Sequence, residues 1–124
     1  MTRINCSILP QELPNKLLLG ELHEITRIPR AITKGKAVIK DIPKQFTLNK
    51  GHVKWFYDKN GYTLRRYNNL RLEAIKRGYN VQDFSSAWDG IPKHLMNDYT
   101  PTQKDRELLI ERINERGFEL LKSF

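Results

Sequence analysis

Apolar residues recur at steps of three and four in three segments of this chain, and this spacing constrains the fold more than any other feature. The segments span residues 17–32, 64–75 and 109–120. Such steps place side chains on one face of an α-helix. Stretches rich in glycine and proline separate the segments. We therefore predict a mainly α fold, in which residues 1–124 form one compact domain of about three helices joined by long irregular loops.

Prolines and glycines predict where the first two helices begin and end. Pro14 suits the first helical position, and Pro29 should kink or end the helix because it lacks an N–H and crowds the preceding turn. The second helix should begin near Thr63, after a turn at residues 60–61. It should end just before Gly78, because glycine suits the left-handed position that follows a helix.

The third helix combines a start signal with a sorted charge pattern. Thr100 should cap it, with Pro101 at the first helical position and Gln103 completing a capping box. Arg112 and Arg116 form a basic stripe beside the apolar face. Like charges four residues apart repel one another on a helix, and a polyanion facing them would reverse that cost. An ordinary charged surface is the alternative interpretation.

Charge and cysteine content narrow the classes of partner. The chain holds 22 Lys and Arg against 14 Asp and Glu, for a net charge of +8. This balance favours nucleic acid as a partner, then an acidic membrane, with a merely solvated surface as the alternative. Cys6 is the single cysteine, so no internal disulfide forms, which fits a reducing cytoplasm and a buried thiol. No apolar run is long enough to predict a membrane span.

The middle of the chain pairs a lysine-rich irregular stretch with three consecutive aromatic residues. Lysines punctuate residues 33–54, which suits either a path along a phosphate backbone or a solvated loop. Trp55, Phe56 and Tyr57 follow. We interpret the aromatic residues mainly as a core patch, with base stacking as the alternative.

The start of the chain and one glutamate suggest a specific chemistry. If Met1 is removed, Thr2 carries a free α-amine with a reference pKa of about 7.7–8.0, against about 10.4 for lysine, so more of it is a neutral nucleophile at pH 7. Glu24 lies on the first predicted helix, three residues before Arg27. From position alone, the alternatives are a frayed terminus and a local Glu24–Arg27 salt bridge.

An amine, one carboxylate and a basic surface suit a reaction at a deoxyribose. A neutral amine attacks C1′, expels the base and leaves a protonated Schiff base. The iminium acidifies the C2′ proton, whose removal expels the 3′ phosphate by β-elimination. The carboxylate stabilises the developing cation and moves protons. We expect no metal or other cofactor, since the three histidines are dispersed and a single cysteine does not build a zinc site.

Five segments of the chain resemble the pyrimidine-dimer DNA glycosylases. In the family's order, they are residues 1–5 (MTRIN), 21–25 (ELHEI), 51–59 (GHVKWFYDK), 76–80 (KRGYN) and 98–101 (DYTP). The resemblance implies a compact, mostly helical protein with its N-terminus threaded between helices. It also implies a glycosylase with coupled abasic-site lyase activity on cyclobutane pyrimidine dimers in duplex DNA.

The resemblance implies roles for individual residues near the N-terminus. The family's nucleophile, the α-amine of the residue after the initiator methionine, falls on Thr2. The essential glutamate of the family falls on Glu24. Its phosphate-contacting arginines fall on Arg3 and Arg27.

Other DNA-binding positions follow the family less closely. Arg112 and Arg116 correspond to two basic residues of the last helix that hold DNA. His23 replaces an arginine of the family's type member, Lys16 replaces a glutamine, and the type member's aromatic, basic tail has no counterpart. The same chemistry on a different damaged or modified base is therefore one alternative, and a non-catalytic DNA-binding helical protein is another.

The resemblance and the composition together predict the molecular setting. We expect a monomer whose partner is double-stranded DNA containing damaged bases, with no membrane association. The expected location is the cytoplasm of a bacterial cell or of a phage-infected host.

Overall fold

The computed structural model describes residues 3–121, and these residues are mainly helical. Its helices are α1 (Asn15–Glu24), α2 (Arg27–Thr33), α3 (His52–Trp55), α4 (Asn60–Lys76) and α5 (Gln103–Glu115). Short 3-10 turns lie at Pro10–Glu12, Ser85–Trp88 and Lys93–Leu95. The described residues form no strand, only an isolated bridge between Lys59 and Met96. The predicted mainly α fold with long irregular connections is confirmed.

The first predicted helix is in fact two helices, and the break precedes the proline by one turn. Pro29 lies in the first turn of α2, where its missing N–H is tolerated. An ordinary residue there would donate to the carbonyl of Ile25, four residues back, so the helical ladder is interrupted at that point. The Ile25 carbonyl instead accepts from the Ile28 N–H at 3.3 Å, and the Thr26 hydroxyl donates to the His23 carbonyl at 3.0 Å. Pro14 precedes α1 as its cap, one residue before the predicted position.

Helix α4 begins at Asn60, so the predicted start near Thr63 is three residues late. The Asn60-Gly61 pair forms the first turn of the helix instead of a separate loop. Glycine is needed there because a Cβ atom on Gly61 would lie 2.7 Å from the carbonyl oxygen of Met96. The end agrees with the prediction, since Gly78 follows the helix with φ of +94°.

Helix α5 is capped by Thr102, so the predicted cap at Thr100 is wrong. The Thr102 hydroxyl accepts from the N–H of Asp105 at 3.2 Å, and the Asp105 carboxylate accepts from the N–H of Thr102 at 3.1 Å. This reciprocal box needs an acidic or amide side chain three residues after the cap. Thr100 meets that condition with Gln103, but the pairing of Thr102 with Asp105 forms instead, and Gln103 becomes the first helical residue.

The described residues pack around one hydrophobic core. Its fully buried apolar side chains are Ile4, Ile8, Leu13, Leu18, Ile25, Ile28, Phe56, Leu70, Ala74 and Leu109. Trp55 and Phe56 are buried and Tyr57 is half-buried, so the interpretation of the aromatic run as a core patch is confirmed. The Cys6 thiol is also buried, as predicted.

The surface of the irregular stretch after α2 is basic. Its exposed lysines are Lys34, Lys36, Lys40, Lys44 and Lys50. Within residues 3–121, no helix is long and apolar enough to cross a bilayer.

Candidate active site

Residues 3–8 pass through the middle of the fold, which makes the frayed-terminus interpretation wrong for this segment. Ile4 and Ile8 are fully buried, and Asn5 is only 4% exposed. A turn closed by the Ile8 N–H on the Asn5 carbonyl, at 3.0 Å, shapes the segment. Because no strand lies beside these residues, their buried backbone groups must find partners elsewhere.

Side chains from the surrounding helices supply those partners on the N–H side. The backbone N–H groups of residues 3–5 donate in turn to Glu24 Oε2 at 3.3 Å, His52 Nε2 at 2.8 Å and Glu21 Oε1 at 3.2 Å. Glu21 and Glu24 both belong to α1, and their spacing of three places them on the same helix face. The start of the chain is thus bound along α1 and at α3.

Side chains bind the carbonyl side of the same segment. The carbonyls of residues 6–8 accept in turn from the Tyr62 hydroxyl at 2.8 Å, Arg106 Nη1 at 3.2 Å and Arg66 Nη1 at 2.6 Å. These donors come from α4 and α5. Six successive residues are therefore fixed by four helices.

The most buried of these anchors is an ion pair between α1 and α4. Arg66 Nε lies 2.8 Å from Glu21 Oε2, and Arg66 Nη2 lies 3.1 Å from Glu21 Oε1. The two side chains are 5% and 1% exposed. Removing one member of such a pair leaves an uncompensated buried charge.

Replacing Arg66 should therefore lower the free energy of unfolding strongly. We expect Arg66→Met to cost about 3–5 kcal/mol in urea-induced unfolding. Arg65→Met is the matched control, since its ion pair with Asp98 is exposed and such pairs contribute about 0–1 kcal/mol. Equal losses in the two variants would contradict the buried-anchor interpretation.

The Glu24 carboxylate stands at the end of α1, beside a small cavity. One oxygen accepts from the Arg3 backbone, and the other lies 3.9 Å from Arg27 Nη1. The side chain is 26% exposed. The cavity has a volume of about 260 Å³, and its lining includes Arg3, Lys16, Glu21, Glu24, Arg116 and Phe118. A partly exposed carboxylate among cations thus faces a space open to a ligand.

Arg3 has an unsatisfied donor in this region. Its Nη1 atom is buried and has no hydrogen-bond partner among residues 3–121. Burial lowers the pKa of Arg3, the charges of Arg112 and Arg116 lower it further, and that of Glu24 opposes them. A buried guanidinium donor close to other cations is the arrangement that a phosphate oxygen satisfies best.

The remaining predicted residues divide between this cavity and its surroundings. Lys16 Nζ and Arg116 Cζ lie 6.0 and 5.6 Å from the ring centroid of Phe118. Arg112 lies on α5 with its Nε atom 3.5 Å from Glu115 Oε2. His23 is exposed and lines a different, largely apolar cavity of about 380 Å³. Thr2, the predicted nucleophile, lies outside the described residues.

Sequence reasoning missed four residues of this region: Glu21, His52, Arg66 and Phe118. Glu21 and His52 lie inside segments that carry the family resemblance, and this is the signal that could have singled them out. Arg66 and Phe118 carry no such signal. Only the fold brings Arg66 to Glu21 and Phe118 to the cavity beside Glu24.

The buried His52 gives the fold a sensitivity to acid. Burial lowers its pKa to about 4, the hydrogen bond to the Thr47 carbonyl opposes this shift, and the charge of Arg3 adds to it. The unfolded chain binds a proton near pH 6.5, so the contribution of His52 to stability is complete above that pH and is lost as the pH falls towards 4.

This loss is measurable as a difference between variants. Between pH 7.5 and 4.5, we expect the stability of the parent protein to fall by up to about 3 kcal/mol more than that of His52→Gln, from the size of the pKa shift. The exposed His94 offers the control His94→Gln, which should follow the parent protein. Identical pH profiles for all three proteins would contradict the burial of a neutral His52.

Comparison with protein families shows which family this chain belongs to. A family model described as pyrimidine dimer DNA glycosylase matches residues 1–86, more than two thirds of the chain. This chain belongs to the pyrimidine dimer DNA glycosylase family. The resemblance predicted from the sequence is confirmed, and family membership indicates a DNA repair glycosylase whose partner is DNA with pyrimidine dimers.

The matched segment contains most of the candidate site of this glycosylase. Arg3, Lys16, His23, Glu24 and Arg27 all lie within residues 1–86. Helix α5, which contains Arg112, and Arg116, which follows its last residue, lie beyond the match. Arg116 lines the cavity together with Arg3 and Glu24, and the charges of Arg112 and Arg116 both lower the pKa of Arg3.

Proposed function

We propose that this protein excises pyrimidine dimers and cleaves the resulting abasic site, with the α-amine of Thr2 as nucleophile and Glu24 as catalytic carboxylate. One observation carries the proposal most directly. The Arg3 N–H belongs to the amide that joins Thr2 to Arg3, and it donates to Glu24 Oε2 at 3.3 Å. The first peptide bond of a chain that begins at Thr2 is therefore bound to Glu24, which lines the cavity and is partly exposed, whereas the other lining carboxylate, Glu21, is buried.

The proposed reaction proceeds through a covalent intermediate. The neutral amine attacks C1′ of the deoxyribose, and the C1′–N1 bond breaks with its electron pair leaving on the base. Ring opening produces a protonated imine between C1′ and the amine. Loss of a C2′ proton then forms a C2′–C3′ double bond and expels the 3′ phosphate, and water releases the sugar fragment and restores the amine.

Glu24 has the position and chemistry for two steps of this sequence. As a carboxylate among cations, it stabilises the positive charge that develops at C1′ and on the imine. Being partly exposed to the cavity, it is also accessible for proton transfer at C2′ or at the ring oxygen.

The cations around the cavity suit the phosphate backbone of the DNA. Arg3 offers a buried donor that lacks a partner within the described residues, and Arg116 and Lys16 line the same space. Arg27 and His23 are exposed next to Glu24 along the chain. We propose that these side chains, with Arg112, bind phosphates on either side of the damaged nucleotide.

Replacing Arg112 in α5 together with Arg116, which follows the helix, should weaken DNA binding and flatten its salt dependence. Each lost phosphate contact reduces the slope of log K against log [salt] by about 0.9, so Arg112→Ala with Arg116→Ala should reduce it by about 2. Lys104→Ala, at the start of the same helix, is the control and should leave the slope unchanged. An unaltered slope in the double variant would show that these arginines do not contact phosphate.

The chemistry of the cut end tests the proposed function. On a duplex with one thymine dimer, we expect a nick whose 3′ end is an unsaturated aldehyde and whose 5′ end is a phosphate, because β-elimination breaks the C3′–O bond. A 3′-hydroxyl end would indicate hydrolysis instead. Cleavage of an abasic duplex without cleavage of the dimer duplex would favour another damaged base as the target.

A further inference from the structure

We propose that His52 and Glu21 are positioning residues that fix the start of the chain, so that the N-terminal amine meets its target at Glu24. The inference rests on the proposed function. It states that these two side chains increase the rate at which the amine attacks C1′, because they hold the amine in place. Both side chains are almost fully buried, with residue exposures of 1% and 2%. Glu21 borders the same cavity as Glu24, but Arg66 already binds both of its oxygens.

The contacts of His52 hold its Nε2 atom in a fixed position as the acceptor for the Ile4 N–H. Its Nδ1–H donates to the Thr47 carbonyl at 2.8 Å, which leaves Nε2 free of hydrogen to accept the Ile4 N–H at 2.8 Å. The rings of Phe46 and Phe56 contact the imidazole edge-on, with centroid distances of 5.6 and 5.4 Å. The ring therefore has a fixed tautomer and a fixed orientation.

Glu21 holds the next residue in the same way. Its Oε1 accepts both the backbone N–H and the side-chain Nδ2–H of Asn5, at 3.2 and 2.9 Å. Arg66 binds both oxygens from the other side, at 2.8 and 3.1 Å. The carboxylate cannot rotate without breaking the buried ion pair, so residue 5 is anchored as firmly as residue 4.

These two anchors compensate for a weaker bond at the reacting end. The Arg3–Glu24 hydrogen bond, at 3.3 Å, is the longest of the three and involves the most exposed acceptor. If residues 4 and 5 were loose, this bond alone would hold the amine. A displacement of about 1 Å at a reacting group costs up to about 100-fold in rate.

A pair of amide substitutions at His52 separates positioning from general structural support. In His52→Gln, the side-chain oxygen reaches the place of Nε2 and still accepts from Ile4. In His52→Asn, the shorter amide reaches the place of Nδ1 and bonds Thr47 only. We expect the borohydride trapping rate on abasic duplex, per folded molecule, to fall about 10- to 100-fold in His52→Asn and to stay near the parent rate in His52→Gln. The DNA dissociation constant should be unchanged in both.

Two outcomes overturn the inference, and a third tests the proposed function on which it rests. Trapping by His52→Asn at the parent rate would overturn it, and so would equal losses in the two variants, which indicate structural support alone. If His52→Asn does not fold, Asn5→Ala decides the matter. That variant removes one bond to Glu21, and positioning predicts slower trapping with unchanged DNA affinity. Failure of the parent protein to trap at all would instead refute the proposed function.

Discussion

Glu24→Gln is expected to bind dimer-containing duplex as tightly as the parent protein and to lose base excision by about 1,000-fold, the scale on which a positioned electrostatic group contributes. The amide has nearly the size of the carboxylate and still accepts the Arg3 N–H. It has no charge to stabilise the cation at C1′ and does not accept a proton near neutral pH. Single-turnover cleavage of a thymine-dimer duplex measures the loss.

Two controls separate this loss from indirect effects. Glu107→Gln makes the same chemical change on the exposed face of α5 and should cleave at the parent rate. A dissociation constant for Glu24→Gln, measured by fluorescence anisotropy, shows whether binding is intact. Cleavage by Glu24→Gln within tenfold of the parent protein would remove Glu24 from the proposed chemistry.

An N-terminal extension should abolish the reaction altogether. A Gly-Ser dipeptide before Thr2 converts its amine into an amide, which is not nucleophilic, and moves the new amine away from Glu24. The extension leaves the hydrogen bonds of residues 3–5 in place, because they are made by residues that follow Thr2. The protein should therefore keep its unfolding midpoint. Cleavage of dimer and abasic duplexes should both be lost.

The same dipeptide placed after Phe124 is the control for this extension. It adds equal mass at the other end of the chain and should leave cleavage intact. Protein released from a cleavable N-terminal tag so that Thr2 comes first should recover activity. Full activity in the extended chain would mean that another amine, such as a lysine, performs the attack.

The fold could be predicted in outline because helix periodicity is a local property. The segment 64–75 and the glycine at position 78 marked α4 closely, since both signals depend on neighbours within one or two turns. The starts of α4 and α5 were misplaced because each depends on a distant or competing contact. The carbonyl of Met96 approaches Gly61, and Asp105 selects Thr102 as the cap.

The candidate site was only partly accessible to sequence reasoning. Glu24 and Arg3 followed from the resemblance, and the structure brings them together. The pairing of Glu21 with Arg66 joins residues 45 positions apart, and no local pattern reveals a partner at that distance. Short motifs therefore indicate the candidate site residues, whereas the contacts that hold them in place appear only in the tertiary structure.

The same contacts support the proposed role of a terminal residue as the nucleophile. Terminal residues are usually mobile, and mobility is costly for a nucleophile. Here six successive residues bond to side chains from four helices, beginning with the amide that follows Thr2. Buried polar side chains of this small fold thus bind the first residues of the chain.

The most direct test of the account locates the covalent bond. Protein whose intact mass shows that Met1 is absent is incubated with thymine-dimer duplex and reduced with borohydride, and the digested adduct is mapped by mass spectrometry. We expect a deoxyribose-derived adduct on the α-amine of the peptide that begins at Thr2. An adduct on a lysine side chain, or none at all, would contradict it.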